Sequence, residues 1–455
     1  MDNATARLSA FIAGANFAKI PEKVRAKMRE CLIDFLGVSS VAYLADSTPS
    51  FFAAIDAIAG DGDCTVVGHR RGYPFQYAAM LNGTLAHTSD FDDTNAIGGG
   101  HLGAPVIAAG LAAAERFGAS GEDFVSGLVA GYETMVRVGT GLGISAYERG
   151  FHPTAVDGVF GATAAVCRIA RADARVTEHA LGLALSTAAG SMQYLENGAW
   201  NKRLHPGLAA YHANLVYVLA NAGVIGAALP LEGKFGLLQG YSDKPDPSWL
   251  DRALGTDWYT LNTAIKPYPS CRFTHGAVDV ARALRTAHGL DVASVDAIDV
   301  TISPVAYEIV GDSRPNKLMP NNVVDAQFSM YFQVAAALID GNVFWDSYRL
   351  IGDPRIESLS GRLRIGIDAG YSKLQTTLSV RAGGRTFAEQ VTHPKGDDRN
   401  PLAWDDIMAK FRGNAACRFD AAAVKRIEDG VDAIERCTDV RAWIRATLRG
   451  DARSA

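Results

Sequence analysis

The sequence predicts a mainly α protein in which a large helical domain, built from both ends of the chain, is interrupted by a smaller α+β domain. Apolar residues recur at three- and four-residue steps through most of the first 265 residues. After Lys266 the pattern changes to an alternation of apolar and polar residues, and a helical pattern returns near residue 400. A chain of 455 residues is also too long for one compact core. We therefore expect a helical domain of residues 1–265 plus 400–455 and an α+β domain of residues 266–399.

The first clear helix start is Ile20-Pro21-Glu22, because proline is tolerated in the first helical turn and Glu22 meets the positive helix end. Apolar residues then continue at helical spacing to about Ala45. Breaks that carry glycine or proline separate the later helical patterns. These are predicted at 105–117, 121–142, 154–170, 178–194 and 207–228.

The middle of the chain predicts a small sheet. Residues 295–302 and 362–367 alternate apolar and polar side chains, and residues 376–391 indicate two strands joined near Gly383-Gly384. A helix is predicted at 324–339, and the final helical segment resumes near Trp404.

Composition excludes several classes of function. Apolar residues make up 48% of the chain and the net charge is −5, so no basic field is available to attract nucleic acid. The six cysteines lie far apart, without the spacing of zinc or iron–sulfur sites, which favours reduced thiols and a cytoplasmic protein. Residues 204–231 carry no Asp, Glu, Lys or Arg. The polar groups of His205, His212 and Asn214 would be costly in lipid, so we interpret this stretch as a core helix rather than a membrane span.

The densest polar cluster is the run from His87 to Thr94, followed by three glycines and His101. On a helical turn Asp90, Asp93 and Thr94 would share a face, which would place a carboxylate and a hydroxyl near an imidazole for proton transfer. Two alternatives stay open. The acidic residues could cap the helix near Pro105, or they could bind Mg²⁺ or Mn²⁺ with the histidine.

Three further segments could bind or act on an anion. His152 precedes Pro153 and is predicted at a helix N-terminus, where it would act as a neutral base unless the junction is only a cap. Lys202 and Arg203 precede the uncharged helix, either to bind a carboxylate or to solubilise the helix end.

The third segment lies where the helical pattern gives way to strands. It places Lys266, Arg272 and His275 at a predicted interdomain cleft, and we interpret Cys271 between them as a buried thiol rather than a nucleophile.

Together these segments resemble the MmgE/PrpD family, which includes 2-methylcitrate dehydratase, cis-aconitate decarboxylase and iminodisuccinate epimerase. The resemblance spans essentially the whole chain. It is carried by DFDDT with His101, by FHPT, KRLHPG and KPYPSC, and by the late PKGD with NPLAW, in that order. It implies an all-α domain formed from both chain ends, an inserted α+β lid domain, a site in the cleft between them, and a homodimer.

The resemblance also implies roles for individual residues. Those that match the site of the decarboxylase members are Asp90, Thr94, His101, His152, Lys202 and Lys266. The two lysines would hold substrate carboxylates and the two histidines would transfer protons. Further substrate-binding candidates are Arg203, Arg272, His275 and Tyr331.

Two departures from the family pattern bear on the reaction. The decarboxylase has a tyrosine three residues after the serine of the lid helix, where this chain has Phe332, with Tyr331 beside it. The loop from Thr94 to His101 is one residue longer and rich in glycine.

We expect a lyase that acts on a small di- or tricarboxylate by α-proton abstraction and elimination, as 2-methylcitrate dehydratase does, with no metal and no cofactor. Epimerisation of an iminodisuccinate-like acid and decarboxylation of the cis-aconitate type are the alternatives, and a non-catalytic dimer that binds an organic acid is the competing hypothesis. Nucleotide, zinc-protease and serine-hydrolase motifs are missing from the sequence.

Overall fold

The structure is a computed structural model, and it describes residues 3–450. Within that range α-helices predominate and the sheets are small, so the prediction of a mainly α protein is confirmed. The predicted helical domain begins with α1 Ala4–Gly14, α2 Glu22–Val41, α3 Thr48–Asp56, α4 Phe75–Thr88, α5 Gly103–Phe117, α6 Gly121–Leu142, α7 Ile144–Glu148, α8 Pro153–Val156, α9 Gly158–Ile169, α10 Ala174–Ala184, α11 Asn201–Asn221 and α12 Leu237–Tyr241.

The later helices fall into two groups. Those of the predicted α+β region are α13 His275–His288, α14 Pro304–Ala306, α15 Pro315–Leu318, α16 Val323–Gln327, α17 Met330–Asp340 and α18 Pro354–Ser360. The chain then ends with α19 Trp404–Ala415, α20 Ala421–Asp432 and α21 Val440–Thr447.

The larger hydrophobic core joins both ends of the chain. Its buried side chains come from residues 4–265 and 407–448, and α19 packs along α2. A separate core contains buried side chains from residues 268–382. This grouping follows the predicted boundaries, but the division into a helical domain and a lid domain stays a prediction, and residues 1–2 and 451–455 of the former lie outside the described residues.

The four-stranded sheet contains β3 Val295–Ile302, β4 Leu363–Ile367, β5 Thr376–Ala382 and β6 Arg385–Val391, in the order β4-β3-β5-β6. β3 runs parallel to β4 and antiparallel to β5. β5 and β6 form a hairpin whose turn is Gly383-Gly384, both at positive φ, as two-residue hairpin turns require. The helix α13 contacts β5 and β6.

Several predicted helices are shorter or broken. The segment 154–170 divides at Asp157 into α8 and α9, and the segment 178–194 ends as an α-helix at Ala184. The segment 324–339 divides between α16 and α17 because Ser329 caps a new helix, accepting a hydrogen bond from the backbone N–H of Phe332. The periodic pattern of apolar residues therefore continues through positions where the structure ends one helix and begins another.

The helix predicted at 207–228 begins six residues earlier than the sequence indicated, so Lys202 and Arg203 lie in its first turn and Pro206 lies inside it. The helix ends at Asn221. Gly207 lets α11 approach α4 closely, because a methyl group there would collide with the carbonyl oxygen of Met80. This packing brings the start of α11 beside the segment that follows α4.

Among residues 3–450 no helix has both the length and the apolar character needed to cross a membrane.

A two-stranded pairing that the sequence did not predict links two distant segments. β1 Thr94–Asn95 pairs antiparallel with β2 Thr263–Ala264, in the register Thr94 with Ala264. The polar run after α4 is thereby held next to Lys266.

A buried ion pair fastens the C-terminal helices to this region. The Lys410 ammonium on α19 lies 2.5 Å from Asp34 on α2 and donates a hydrogen bond of 2.8 Å to the carbonyl oxygen of Phe91. Burial raises the pKa of the Asp34 carboxyl to about 6, although the charge of Lys410 opposes that shift.

Replacing Lys410 by methionine should destabilise the protein by about 3–5 kcal/mol, because Asp34 is left buried without its partner. The double variant Lys410→Met/Asp34→Asn should recover part of that loss. Thermal unfolding of the two variants and the wild type measures the difference. Equal melting temperatures for the wild type and Lys410→Met would contradict the packing of α19 on α2.

Candidate active site

A cavity of about 540 Å³ is lined by residues of both hydrophobic cores. Its volume is in the range of small-molecule sites. Of the residues proposed from the sequence, the cavity brings together Asp90, Thr94, His101, His152, Lys202, Lys266 and Arg272.

The central feature of the cavity is a buried carboxylate held by two lysines. The Oδ1 atom of Asp90 accepts hydrogen bonds from Lys202 Nζ at 2.7 Å and Lys266 Nζ at 3.0 Å. Burial by itself would raise the pKa of the Asp90 carboxyl, but the charges of the two lysines outweigh burial and hold it well below its usual value. The three side chains therefore carry one net positive charge, which favours an anion in the cavity.

The two lysines differ in their spare hydrogen-bonding capacity. Lys266 Nζ also donates to the carbonyl oxygens of Asp90 at 2.9 Å and Ser270 at 3.1 Å, so its three donors are used. Within the described part of the chain, Lys202 Nζ has one hydrogen-bond acceptor, Asp90, and it lies 5.5 Å from the ring centre of Phe328. Two N–H groups of Lys202 thus remain for a ligand.

Asp90 reaches the lysines because the helix has already ended. α4 stops at Thr88, and Asp90 has a φ of 49°, in the left-handed region that aspartate tolerates better than most residues. The expectation that Asp90, Asp93 and Thr94 share a helical face is therefore wrong. Asp93 points away from the cavity, where it accepts hydrogen bonds from the Tyr132 hydroxyl and the Gly103 amide.

His101 is oriented by a carboxylate that the sequence analysis did not single out. Its Nδ1 lies 3.1 Å from Asp92 Oδ1, while the other Asp92 oxygen lies 2.8 Å from Nδ1 of His87. Because ionised Asp92 can only accept, we assign a proton to Nδ1 of both rings. The Nε2 atom of His101 then carries a free lone pair, 3.7 Å from Asp90 Oδ1.

His152 forms a second pair of imidazoles. It lies at the N-terminus of α8, as the sequence predicted, and its Nδ1 lies 3.0 Å from Nδ1 of His205 in α11. Burial, followed by the nearby His87 and His205, holds the pKa of His152 well below its usual value. Burial likewise lowers the pKa of His101, although Asp92 opposes that shift, and lowers the pKa of His205 to about 4. The imidazoles are therefore neutral near pH 7 and available as bases.

Three predicted binding residues lie outside the cavity lining. Arg203 donates to Asp46 and Ser47, because its place in the first turn of α11 turns it away from Lys202. The Tyr331 hydroxyl donates to the carbonyl oxygen of Gly311. The Nε2 atom of His275 lies 3.1 Å from the carbonyl oxygen of Ser270, behind the cavity wall.

Arg272 lines the cavity but most of its donors are occupied. Its guanidinium donates to the carbonyl oxygens of Lys395 and Pro394 and to Nδ1 of His275. Cys271 also lines the cavity, and burial raises the pKa of its thiol to about 11, which agrees with an unreactive thiol.

Comparison with known proteins shows the family to which the chain belongs. The MmgE/PrpD N-terminal domain matches residues 6–250, and the MmgE/PrpD C-terminal domain matches residues 268–436. The chain belongs to the MmgE/PrpD family.

Relatives in the family are distant but span the chain. The cis-aconitate decarboxylase-like protein oryM of Aspergillus oryzae is 27% identical over 96% of this chain and 96% of its own. The cis-aconitate decarboxylase of Mus musculus is 26% identical over 96% of this chain and 92% of its own, and that of Aspergillus terreus is 24% identical over 92% and 91%.

Some residues in and around the cavity of this MmgE/PrpD chain were not proposed from the sequence. Asp92, His87 and His205 are not part of the cavity lining but contact His101 or His152, and their orientation depends on where α4 ends and α11 begins. Tyr147, Tyr194 and Asp157 line the cavity without any motif. Burial raises the pKa of Asp157 well above its usual value, which favours the protonated form of this carboxyl.

The residues His87, Asp92 and His101 present donor atoms within 4.8 Å of one another. Two imidazoles and a carboxylate can hold a divalent transition metal. However, each Nδ1 atom faces a separate Asp92 oxygen at hydrogen-bond distance, and the charges of Lys202 and Lys266 act on His101 and oppose a dication. We interpret the group as two imidazoles paired with one carboxylate, and the absence of a catalytic metal stays a prediction.

Elemental analysis of the purified protein tests that prediction. We expect less than about 0.1 equivalent of zinc, iron or manganese, and no change in melting temperature after treatment with EDTA, because a metal bound only to the native state would stabilise it. One equivalent of metal, together with a lower melting temperature after EDTA that is abolished in His87→Gln, would show that this group of two imidazoles and a carboxylate is a metal site.

Proposed function

We propose that this protein is a lyase that acts on a small di- or tricarboxylate by abstracting a proton next to a carboxyl group and eliminating a hydroxyl, as 2-methylcitrate dehydratase does. The observation that carries the proposal is the juxtaposition of a net positive cluster with a neutral imidazole. Lys202 offers free donors for a carboxylate, and His101 Nε2 lies 3.7 Å from the Asp90 oxygen that pairs with Lys202.

In this mechanism a substrate carboxylate binds Lys202 and His101 takes the proton from the adjacent carbon. Negative charge then grows on the carboxylate, where Lys202 and Lys266 stabilise it. The electron pair of the broken C–H bond forms the carbon–carbon double bond as the C–O bond breaks. Because the imidazoles are neutral in the resting site, the proton for the leaving hydroxyl is the one that His101 has just accepted, and water is released.

Decarboxylation of the cis-aconitate type is a second candidate. It is favoured by the names of the relatives, which are cis-aconitate decarboxylases or similar to them. Identities of 24–27% leave room for a different reaction on the same scaffold. Tyr331 gives this route no support, because its hydroxyl lies outside the cavity and the neighbouring Phe332 has none.

We further propose that the protein is a cytoplasmic homodimer whose 266–399 segment acts as a lid over the cavity. A dimer is supported by exposed apolar side chains on α11 and the loop after it, including Val218, Ile225 and Phe235, of which the last two are 78% and 85% exposed. A lid is supported by the cavity lining, which takes residues from both cores.

Proton NMR in D₂O tests the reaction. The EDTA-treated enzyme is incubated with 2-methylcitrate, citrate, cis-aconitate, malate, tartrate and iminodisuccinate in turn. We expect loss of an α-proton signal from one compound with formation of an alkene product. A base must be unprotonated to act. The reaction rate should therefore fall at acidic pH, as the pH drops through the pKa of His101, which lies below the usual histidine value of about 6.5.

The variant His101→Gln should lose the exchange, while His212→Gln, on α11 outside the cavity, should retain it. Exchange without an alkene product would indicate an epimerase, and release of CO₂ from cis-aconitate would indicate the decarboxylase. Binding of a panel compound with no exchange in any of them would reject α-proton chemistry and favour a binding protein.

A further inference from the structure

Two tyrosines line the cavity, and their hydroxyls have no hydrogen-bond partner among residues 3–450. Tyr147 lies on α7, and Tyr194 lies in the 3₁₀ helix Met192–Glu196. Neither hydroxyl donates to any of the residues 3–450. Buried tyrosine hydroxyls usually find a partner, so an unpartnered one that faces a cavity is available to a ligand.

Tyr194 is the better placed of the two. The Tyr194 side chain is 4% exposed and its ring stands edge-on to the rings of His152 and His205, at centroid distances of 5.7 and 6.0 Å. Tyr147 is only partly buried. The ring of Tyr194 is therefore buried beside the two imidazoles.

The backbone around Tyr194 fixes that position. His152 N–H donates to the carbonyl oxygen of Gly190 at 3.0 Å, and Met192 N–H donates to that of Gly150 at 2.8 Å. These two bonds tie the segment before Tyr194 to the segment that carries His152. The phenol ring is thus held in place before a ligand arrives, which is the preorganisation that electrostatic catalysis requires.

The chemistry of the phenol makes it a donor rather than a base. Burial raises the pKa of the Tyr194 hydroxyl well above its usual value, and the nearby hydroxyl of Tyr147 and the carboxylate of Asp90 act in the same direction. A neutral phenol in this cavity complements the ammonium of Lys202, because both groups donate hydrogen bonds to an anion.

We propose that Tyr194 is a catalytic residue whose hydroxyl donates a hydrogen bond to the substrate carboxylate next to the reacting carbon, on the side of the cavity that faces His152. This assignment rests on the proposed function, because the bond matters most if negative charge develops on that carboxylate. The hydrogen bond would strengthen as charge moves from the broken C–H bond onto the carboxylate. Removing it should therefore slow turnover more than it weakens binding.

The test compares Tyr194→Phe with Tyr217→Phe, a matched change at a buried tyrosine on α11 that does not line the cavity. With the compound that reacts in the D₂O panel, we expect kcat of Tyr194→Phe to fall about 10- to 100-fold with a change in KM of at most about threefold. Tyr217→Phe should match the wild type in both constants. Melting temperatures show whether either variant is folded.

A folded Tyr194→Phe with wild-type kcat would overturn the assignment while leaving the proposed function intact. A wild-type enzyme that binds a panel compound but reacts with none would instead remove the proposed function, and the role of Tyr194 is then judged by titration calorimetry with succinate. Weaker succinate binding in Tyr194→Phe than in Tyr217→Phe would keep Tyr194 as an anion-binding residue, and equal affinities would reject it.

Discussion

The hydrogen-bonded cluster of Asp90 with Lys202 and Lys266 is the constraint on which the rest of the site depends. Two ammonium groups can be buried here because one carboxylate pairs with both. Each partner comes from a different part of the chain: the end of α4, the start of α11 and the segment after β2. The ion pair between Asp34 and Lys410 supports the same loop through the carbonyl oxygen of Phe91. The cluster thus places one net positive charge in the cavity.

Burial explains the second property of the site, its supply of neutral imidazoles. Removing His87, His101, His152 and His205 from water disfavours their protonated forms, and the lysines add to the effect on several of them. Asp92 then determines which ring nitrogen of His101 is free. α-Proton abstraction requires a positive cluster that attracts a carboxylate and a base that stays unprotonated. The buried lysines contribute to both, because they attract the carboxylate and lower the pKa of the nearby imidazoles.

The sequence predicted the fold class and seven of the polar residues that line the cavity, because helical periodicity and short motifs are encoded locally. Helical periodicity identified α2, α5 and α6, and alternation identified β3, β5 and β6. It could not predict the end of α4 at Thr88 or the left-handed Asp90, which turned Asp93 away from the lysines. The start of α11 was also predicted too late in the sequence. Because Lys202 and Arg203 are consecutive residues of that helix, they point in different directions, Lys202 toward the cavity and Arg203 toward Asp46. Tyr194 and Asp157 belong to no motif, so tertiary packing alone reveals them.

The most direct test of the central cluster is the affinity for a small dicarboxylate such as succinate, measured by titration calorimetry in the wild type, Lys202→Met and Arg203→Met. The two variants remove neighbouring cations from the same helical turn. The structure predicts that Lys202→Met weakens binding by about 10- to 100-fold, the loss expected for a charge-assisted hydrogen bond, while Arg203→Met binds as the wild type does. Equal affinities for the wild type and a folded Lys202→Met, or a loss confined to Arg203→Met, would contradict the account.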